Sequence, residues 1–192
     1  INKNWKEWII KMEVIIKDNY QEISSLAADC LINTVKEKDN AILGLPTGST
    51  PVGMYQEVIR QYKDNISFQN VRTFNLDEYV GLDKANINSY RYFMDENLFS
   101  HIDIKEDNIH IPNGAAHDAE EECLNYEELL SSTGQMDIMY LGIGNNGHIG
   151  FNEPEDYFEP FTHVVKLSSD TIEANKRFFD NVESVPTTAI TM

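Results

Sequence analysis

His148 stands inside the glycine-rich stretch Leu141-Gly142-Ile143-Gly144-Asn145-Asn146-Gly147-His148-Ile149-Gly150-Phe151-Asn152-Glu153-Pro154. Two amides precede it closely and a carboxylate, Glu153, follows five residues on. An imidazole changes charge near neutral pH, so neighbours that orient it and favour its charge make it a proton shuttle. Gly144, Gly147 and Gly150 recur at every third position, and glycine lets a backbone approach a ligand or take positive φ without steric cost. Taken alone, a histidine in such a loop is as often a surface hydrogen-bonding group as a catalyst. Two other stretches shift the balance: Leu45-Pro46-Thr47-Gly48-Ser49-Thr50-Pro51 and Phe74-Asn75-Leu76-Asp77-Glu78-Tyr79. Each follows a predicted strand, as the histidine stretch does.

The loop Thr47-Gly48-Ser49-Thr50 leads into a predicted helix, with Thr50 read as N-cap and Pro51 as first helical residue. Free N–H groups and the helix dipole favour an anion there. Gly48 permits close approach, and the Ser49 and Thr50 hydroxyls add donors. The lysine of a G-x-x-x-x-G-K-[ST] loop is missing, and an ordinary helix start has the same appearance. Asp77 and Glu78 adjoin at a strand end. Neighbours in an extended segment point to opposite sides, so one is expected to face a crevice and the other solvent or a partner.

The elements that must hold these residues alternate along the chain. Glu13–Ile16 is a strand candidate, followed by a helix capped by Asn19 with Glu22 three residues on. That helix is expected to bury Ile23, Leu26, Ala27, Cys30, Leu31 and Val35. Ala41–Leu45 is a continuous apolar run, the pattern of a strand covered on both faces. A helix with Met54, Tyr55, Val58, Ile59 and Tyr62 inward, a strand at Val71–Phe74 and a helix with Tyr92, Phe93 and Phe99 come next. Ile109–Ile111 reads as a short strand and Asp118–Ser132 as a helix stopped by Gly134. Then come the run Ile138–Leu141, strand candidates at Thr162–Leu167 and Thr188–Met192, and a helix at Ser169–Phe179. Such alternation predicts an α/β fold, an open, mostly parallel, Rossmann-like sheet with helices on both faces. The loops after Leu45, Phe74 and Leu141 then converge at one sheet edge, where such folds bind ligands.

A length of 192 residues is that of one domain, and 41% hydrophobic residues with 10% aromatics suit a globular one. A net charge of −17 argues against nucleic acid and anionic membrane surfaces as partners. It leaves room for a phosphorylated metabolite held locally by backbone amides. Cys30 and Cys123 lie far apart without C-x-x-C spacing and read as buried thiols in a reducing cytoplasm. No apolar run is long enough to span a membrane. Residues 1–11 are read as a non-native or upstream extension, and 12–192 as a single domain.

Five segments across 12–192 resemble the glucosamine-6-phosphate deaminase family: Leu45–Pro51, Phe74–Leu82, Ser89–Met94, Gly142–Pro154 and Arg177–Asn181. The resemblance implies conversion of glucosamine 6-phosphate and water to fructose 6-phosphate and ammonia, in amino-sugar catabolism, without metal or organic cofactor. By position, Asp77 matches the family's proton-transfer base and His148 its ring-opening catalyst. Asn146 and Glu153 match residues supporting that histidine. Thr47, Gly48, Ser49, Thr50, Gly142 and Arg177 are expected to bind the substrate and its phosphate. The family has aspartate in many members where Asn146 stands. It has Ser, Arg and Lys in its activated members where Asp156, His163 and Val165 stand, so hyperbolic kinetics are expected. The family also continues past Met192, so the chain is read as C-terminally incomplete, with a last strand lacking neighbours, inactive by itself, and a homo-oligomer when full length. Two other readings remain open: a lactonase of 6-phosphogluconate, and a non-catalytic sugar-phosphate sensor, which has no use for the Asp77 base.

Overall fold

The computed structural model describes residues 12–63, 66–176, 179 and 184–192. Four short strands, β1 (Ile42–Leu45), β2 (Arg72–Asn75), β4 (Ile109–His110) and β5 (Ile138–Met139), form a parallel sheet in the order β4-β2-β1-β5. Every residue of β1 is buried, because successive side chains go to opposite faces and helices cover both. Leu43 and Leu45 pack with α1 (Tyr20–Glu37) and α2 (Val52–Tyr62). Ile42 and Phe74 face the other way, onto Tyr126 of α4 (Ala119–Thr133). The α/β expectation holds in this sheet.

A second sheet was not anticipated. β3 (Asp77–Tyr79), β6 (His163–Lys166) and β7 (Thr188–Thr191) form an antiparallel sheet in the order β3-β7-β6. β7 therefore has neighbours on both sides, against the expectation of a strand without partners. Periodicity identifies a strand but says nothing about the direction of its partner.

Other boundaries shift for identifiable reasons. Val14, Ile15 and Ile16 are exposed and form no strand. In α1 the Asn19 cap accepts the Glu22 N–H at 2.9 Å, as expected. The buried face, however, is Ser24, Ala28, Leu31, Ile32 and Val35, while Ile23 and Cys30 are exposed. Close approach to α2 selects small residues: a Cβ added to Gly53 would meet Ser24 Oγ at 2.5 Å and the Tyr20 ring at 2.8 Å. Of the two cysteines only Cys123 is buried. α3 (Tyr90–Asn97) stops before Phe99 because Leu98 leaves the helical region at φ −147, and Phe99 enters a 3-10 turn. α5 (Ser169–Asn175) ends earlier than the expected Phe179. Among the described residues no helix is long and apolar enough to cross a membrane.

The close helix pair gives a first prediction. Gly53→Ala should force α1 and α2 apart and cost about 1–3 kcal/mol, the range for an overpacked contact. A urea midpoint equal to that of the parent protein would show that the Gly53 contact has slack.

Candidate active site

Asp77 opens β3 one residue beyond Leu76, which follows the end of β2. It is only 7% exposed, and among the described residues no donor bonds to its carboxylate. Burial, and secondarily the negative charge of Glu78, push its carboxyl up to about 8. Glu78 points the other way, as strand geometry requires, but it does not reach solvent or a partner. Its carboxylate accepts the backbone N–H groups of Tyr79 at 2.9 Å and of Tyr90 and Arg91 at 3.0 Å, closing the N-terminus of α3. Burial pushes Glu78 up to about 7 while those N–H bonds pull the other way. Glu78 is thus committed to holding β3 against α3, and Asp77 is the acid left open.

The histidine loop folds on itself. Gly144 N–H donates to His148 O at 2.8 Å and Gly147 N–H to Gly144 O at 2.9 Å. Each glycine has its own reason. A Cβ on Gly144 would overlap the imidazole, Gly147 has φ +95, and Gly150 has φ +60. A Cβ on Gly150 would lie 3.2 Å from Asp77 Oδ2 and 3.1 Å from Thr191 Oγ1. The backbone two residues beyond His148 therefore rests on the Asp77 carboxylate. Thr191, directly across from Asp77 in the β3–β7 register, accepts the Phe151 N–H at 3.4 Å, and the buried Phe151 ring stacks on Tyr90 at 5.8 Å.

A hydrogen-bonded relay runs from the imidazole to a carboxylate. His148 Nδ1 lies 2.6 Å from Asn146 Oδ1, and Asn146 Nδ2 donates to Glu153 Oε2 at 2.6 Å. The His148 backbone N–H also donates to Asn146 Oδ1, at 3.2 Å. Burial raises Glu153, but hydrogen bonds from Thr171, Asn146 and Ser168, with the charge of His148, prevail and hold its carboxyl below the usual range. Asn146, His148 and Glu153 are thus joined directly, and Asp77 is brought to them through Gly150.

The expected phosphate loop follows β1 at the sheet edge where β2 and β5 also end, and Gly142 lies just past β5. Gly48 has φ +92, and Ser49 and Thr50 are exposed. Thr50 is not the cap it was expected to be: α2 begins at Val52, and Pro51 sits at the cap position without a side-chain bond. Tyr20 of α1 does that work instead. Its hydroxyl accepts the Gly53 N–H at 2.8 Å and donates to Thr50 O at 2.9 Å, with Ser49 O 3.3 Å away. No hydrogen bond ties the loop or Gly142 to the histidine relay among the described residues. Arg177 lies outside those residues. Two open grooves, one along Lys17, Asn19 and Ser25 and one along Lys38, Arg72 and Asp137, lie away from this constellation, so side-chain chemistry identifies the site here rather than cavity shape.

The sequence profile described as glucosamine-6-phosphate isomerases/6-phosphogluconolactonase matches residues 17–157. The glucosamine-6-phosphate deaminase of Thermoanaerobacter sp. (strain X514) is 57% identical over 182 residues, covering 94% of this chain and 72% of the relative. This chain belongs to the glucosamine-6-phosphate isomerase/6-phosphogluconolactonase family. Another member of that family, the glucosamine-6-phosphate deaminase of Oceanobacillus iheyensis, is 54% identical over 94% of this chain and 73% of its own. A solved monomeric glucosamine-6-phosphate deaminase superposes with TM-score 0.92 at 50% identity, covering 94% of this chain and 76% of that one. The 6-phosphogluconolactonase of Thermotoga maritima shares the family fold, with TM-score 0.70 at 20% identity over 93% of this chain and 75% of its own.

Glu78, Thr191, Tyr20, Ser168 and Thr171 are supports that reading this family member's sequence missed. Ser168 alone carried a local signal, a serine just before a predicted helix. The others act across 10 or more residues of sequence separation, as Tyr20 does on Gly53 and Glu78 on Tyr90.

Proposed function

We propose that this protein converts glucosamine 6-phosphate and water to fructose 6-phosphate and ammonia, an aldose–ketose isomerisation coupled to deamination in amino-sugar catabolism. The observation that carries this reading is the buried Asp77 carboxylate beneath the histidine loop, which bonds to no donor among the described residues, in a chain 57% identical to a deaminase. Opening a lactone needs an activated water but no proton taken from carbon. A carboxyl raised to about 8 is suited to take one.

The steps are those the family resemblance implies for these residues, and the geometry of the histidine loop supports them. His148 opens the sugar ring by moving a proton between the ring and anomeric oxygens. Asn146 Oδ1 can only accept, so it holds the proton of the neutral imidazole on Nδ1 and leaves Nε2 as the base. Asp77 then takes the hydrogen from C2 and returns it to C1 on the same face through a cis-enolamine. The resulting imine is hydrolysed to ketone and ammonia. The α2 N-terminus and the Thr47–Thr50 loop receive the phosphate, with Gly142 at the adjacent strand end and Arg177 as a further ligand. A cytoplasmic location is part of the same reading, supported by the phosphorylated substrate and by two free cysteines, which suit a reducing compartment. A homo-oligomer is the expected assembly, to be compared by light scattering with the monomeric relative.

β7 is paired on both sides, so the inactivity expected of a last strand without neighbours is set aside, and incubation with glucosamine 6-phosphate should release ammonia and fructose 6-phosphate in equal amounts. Hydrolysis of 6-phosphogluconolactone without ammonia release from the amino sugar would replace this reading by the lactonase one.

The Tyr20 contact gives a prediction on the same assay. Tyr20→Phe removes the hydroxyl that fixes the Ser49 and Thr50 carbonyls and serves Gly53. Loss of about 1 kcal/mol of loop ordering should raise KM roughly five-fold with kcat nearly unchanged. An unchanged KM would detach this loop from substrate binding.

A further inference from the structure

The two oxygens of the Glu153 carboxylate have different company. Oε2 accepts Asn146 Nδ2 at 2.6 Å. Oε1 accepts Thr171 Oγ1 at 2.9 Å and Ser168 Oγ at 3.1 Å. Both hydroxyls belong to the start of α5, where Ser168 is the N-cap and its Oγ accepts the Thr171 N–H at 3.2 Å. Ser168 Oγ also lies 2.9 Å from Thr171 Oγ1, so its single proton is shared between two acceptors and Thr171 is the firmer donor to Glu153.

Resting on the functional reading above, we propose that Ser168 and Thr171 are positioning residues for His148, because by occupying one oxygen of Glu153 they set the polarity of the relay and with it the imidazole tautomer. An ionised carboxylate only accepts. With Oε1 occupied by hydroxyl donors, Oε2 is turned to Asn146, and only the NH2 end of that amide can face it. Asn146 Oδ1 must then face the histidine, where the His148 backbone N–H, a pure donor, demands the same orientation. The proton therefore sits on Nδ1 and Nε2 is bare. Among the described residues His148 is the charged or titratable group whose field acts on Glu153 from the loop, and the start of α5 brings the Ser168 and Thr171 hydroxyls to it. Without those hydroxyls the carboxylate can rotate or take up a proton, the Asn146 amide keeps only the 3.2 Å bond from the His148 backbone N–H to hold its direction, and the imidazole samples both tautomers.

The test uses three variants. Thr171→Val keeps the shape and leaves the Ser168 cap on the backbone of residue 171. Thr171→Ser keeps the hydroxyl, and Ser168→Ala/Thr171→Val removes both. The imidazole 15N shifts of His148 need no substrate and should report Nδ1–H alone in the parent and in Thr171→Ser, but a mixture in the double variant. Thr171→Val should lower kcat/KM for glucosamine 6-phosphate about ten-fold. Affinity for an open-chain amino-alditol phosphate should stay within about two-fold, and Thr171→Ser should restore the parent kcat/KM. A double variant with parent 15N shifts would overturn the proposal, as would a Thr171→Ser variant as impaired as Thr171→Val. A parent protein that releases no ammonia would instead remove the functional reading, and the tautomer measurement would still judge the relay.

Discussion

Asp77→Asn should stop turnover while leaving the sugar bound and the fold more stable at alkaline pH. The amide keeps the size of the side chain but cannot take a proton, so C2 deuterium exchange should vanish and kcat should fall by about 10³ or more. The same carboxyl sets the pH dependence. Burial first, and the Glu78 charge second, push it up to about 8, and the base works ionised, so kcat/KM should rise with pH and level off above about 8. The stability effect has the opposite sign. The folded protein keeps the Asp77 proton between the unfolded value of 3.8 and about 8, while the unfolded chain has released it. The stabilisation is complete below the lower value and is lost as pH rises through the upper one. Asparagine carries no such loss. The variant should therefore exceed the parent by about 1–3 kcal/mol near pH 9, with the gap closing toward pH 4. Exchange at the parent rate would withdraw the base role from Asp77. Glu153 would then be the next candidate, because Glu78 is already bonded to three N–H groups.

His148→Gln should separate ring opening from isomerisation. The glutamine can still bond to Asn146, but it has no group that takes and returns a proton near neutral pH. Turnover of the closed sugar should fall by about 10²–10⁴. Binding of an open-chain amino-alditol phosphate, which needs no ring opening, should change by less than about three-fold. The comparison with Asp77→Asn is the decisive part: that variant should open the ring and stall, and this one should stall before opening. Equal loss of analogue affinity and turnover in His148→Gln would mean that the histidine binds the substrate and does not open it.

Much of the local structure was legible in the chain. The Asn19 cap and the Gly134 stop depend on interactions within a few residues, the doubly covered Ile42–Leu45 strand shows in its continuous apolar run, and each is present. The same holds for the histidine relay, whose members His148, Asn146 and Glu153 span a single turn of chain. The spacing of the three glycines already carried the requirement for tight turns. The side of α1 that is buried was not legible. Ile23 looked like core and is exposed, while Ser24 is buried, because the choice lay with Gly53 on another helix.

Nor could the chain alone decide between the adjacent acids. Alternation along a strand dictated that Asp77 and Glu78 part company, but either could have faced the crevice. The choice was made by the N-terminus of α3, whose Tyr90 and Arg91 N–H groups claim Glu78, and by Gly150, whose missing side chain lets the histidine loop rest on Asp77. Residue types and spacing thus determined which groups could do the chemistry. Tertiary packing decided which of them is left buried, without a hydrogen-bond donor among the described residues, and shifted upward, because desolvation and close approach exist only once distant segments have met.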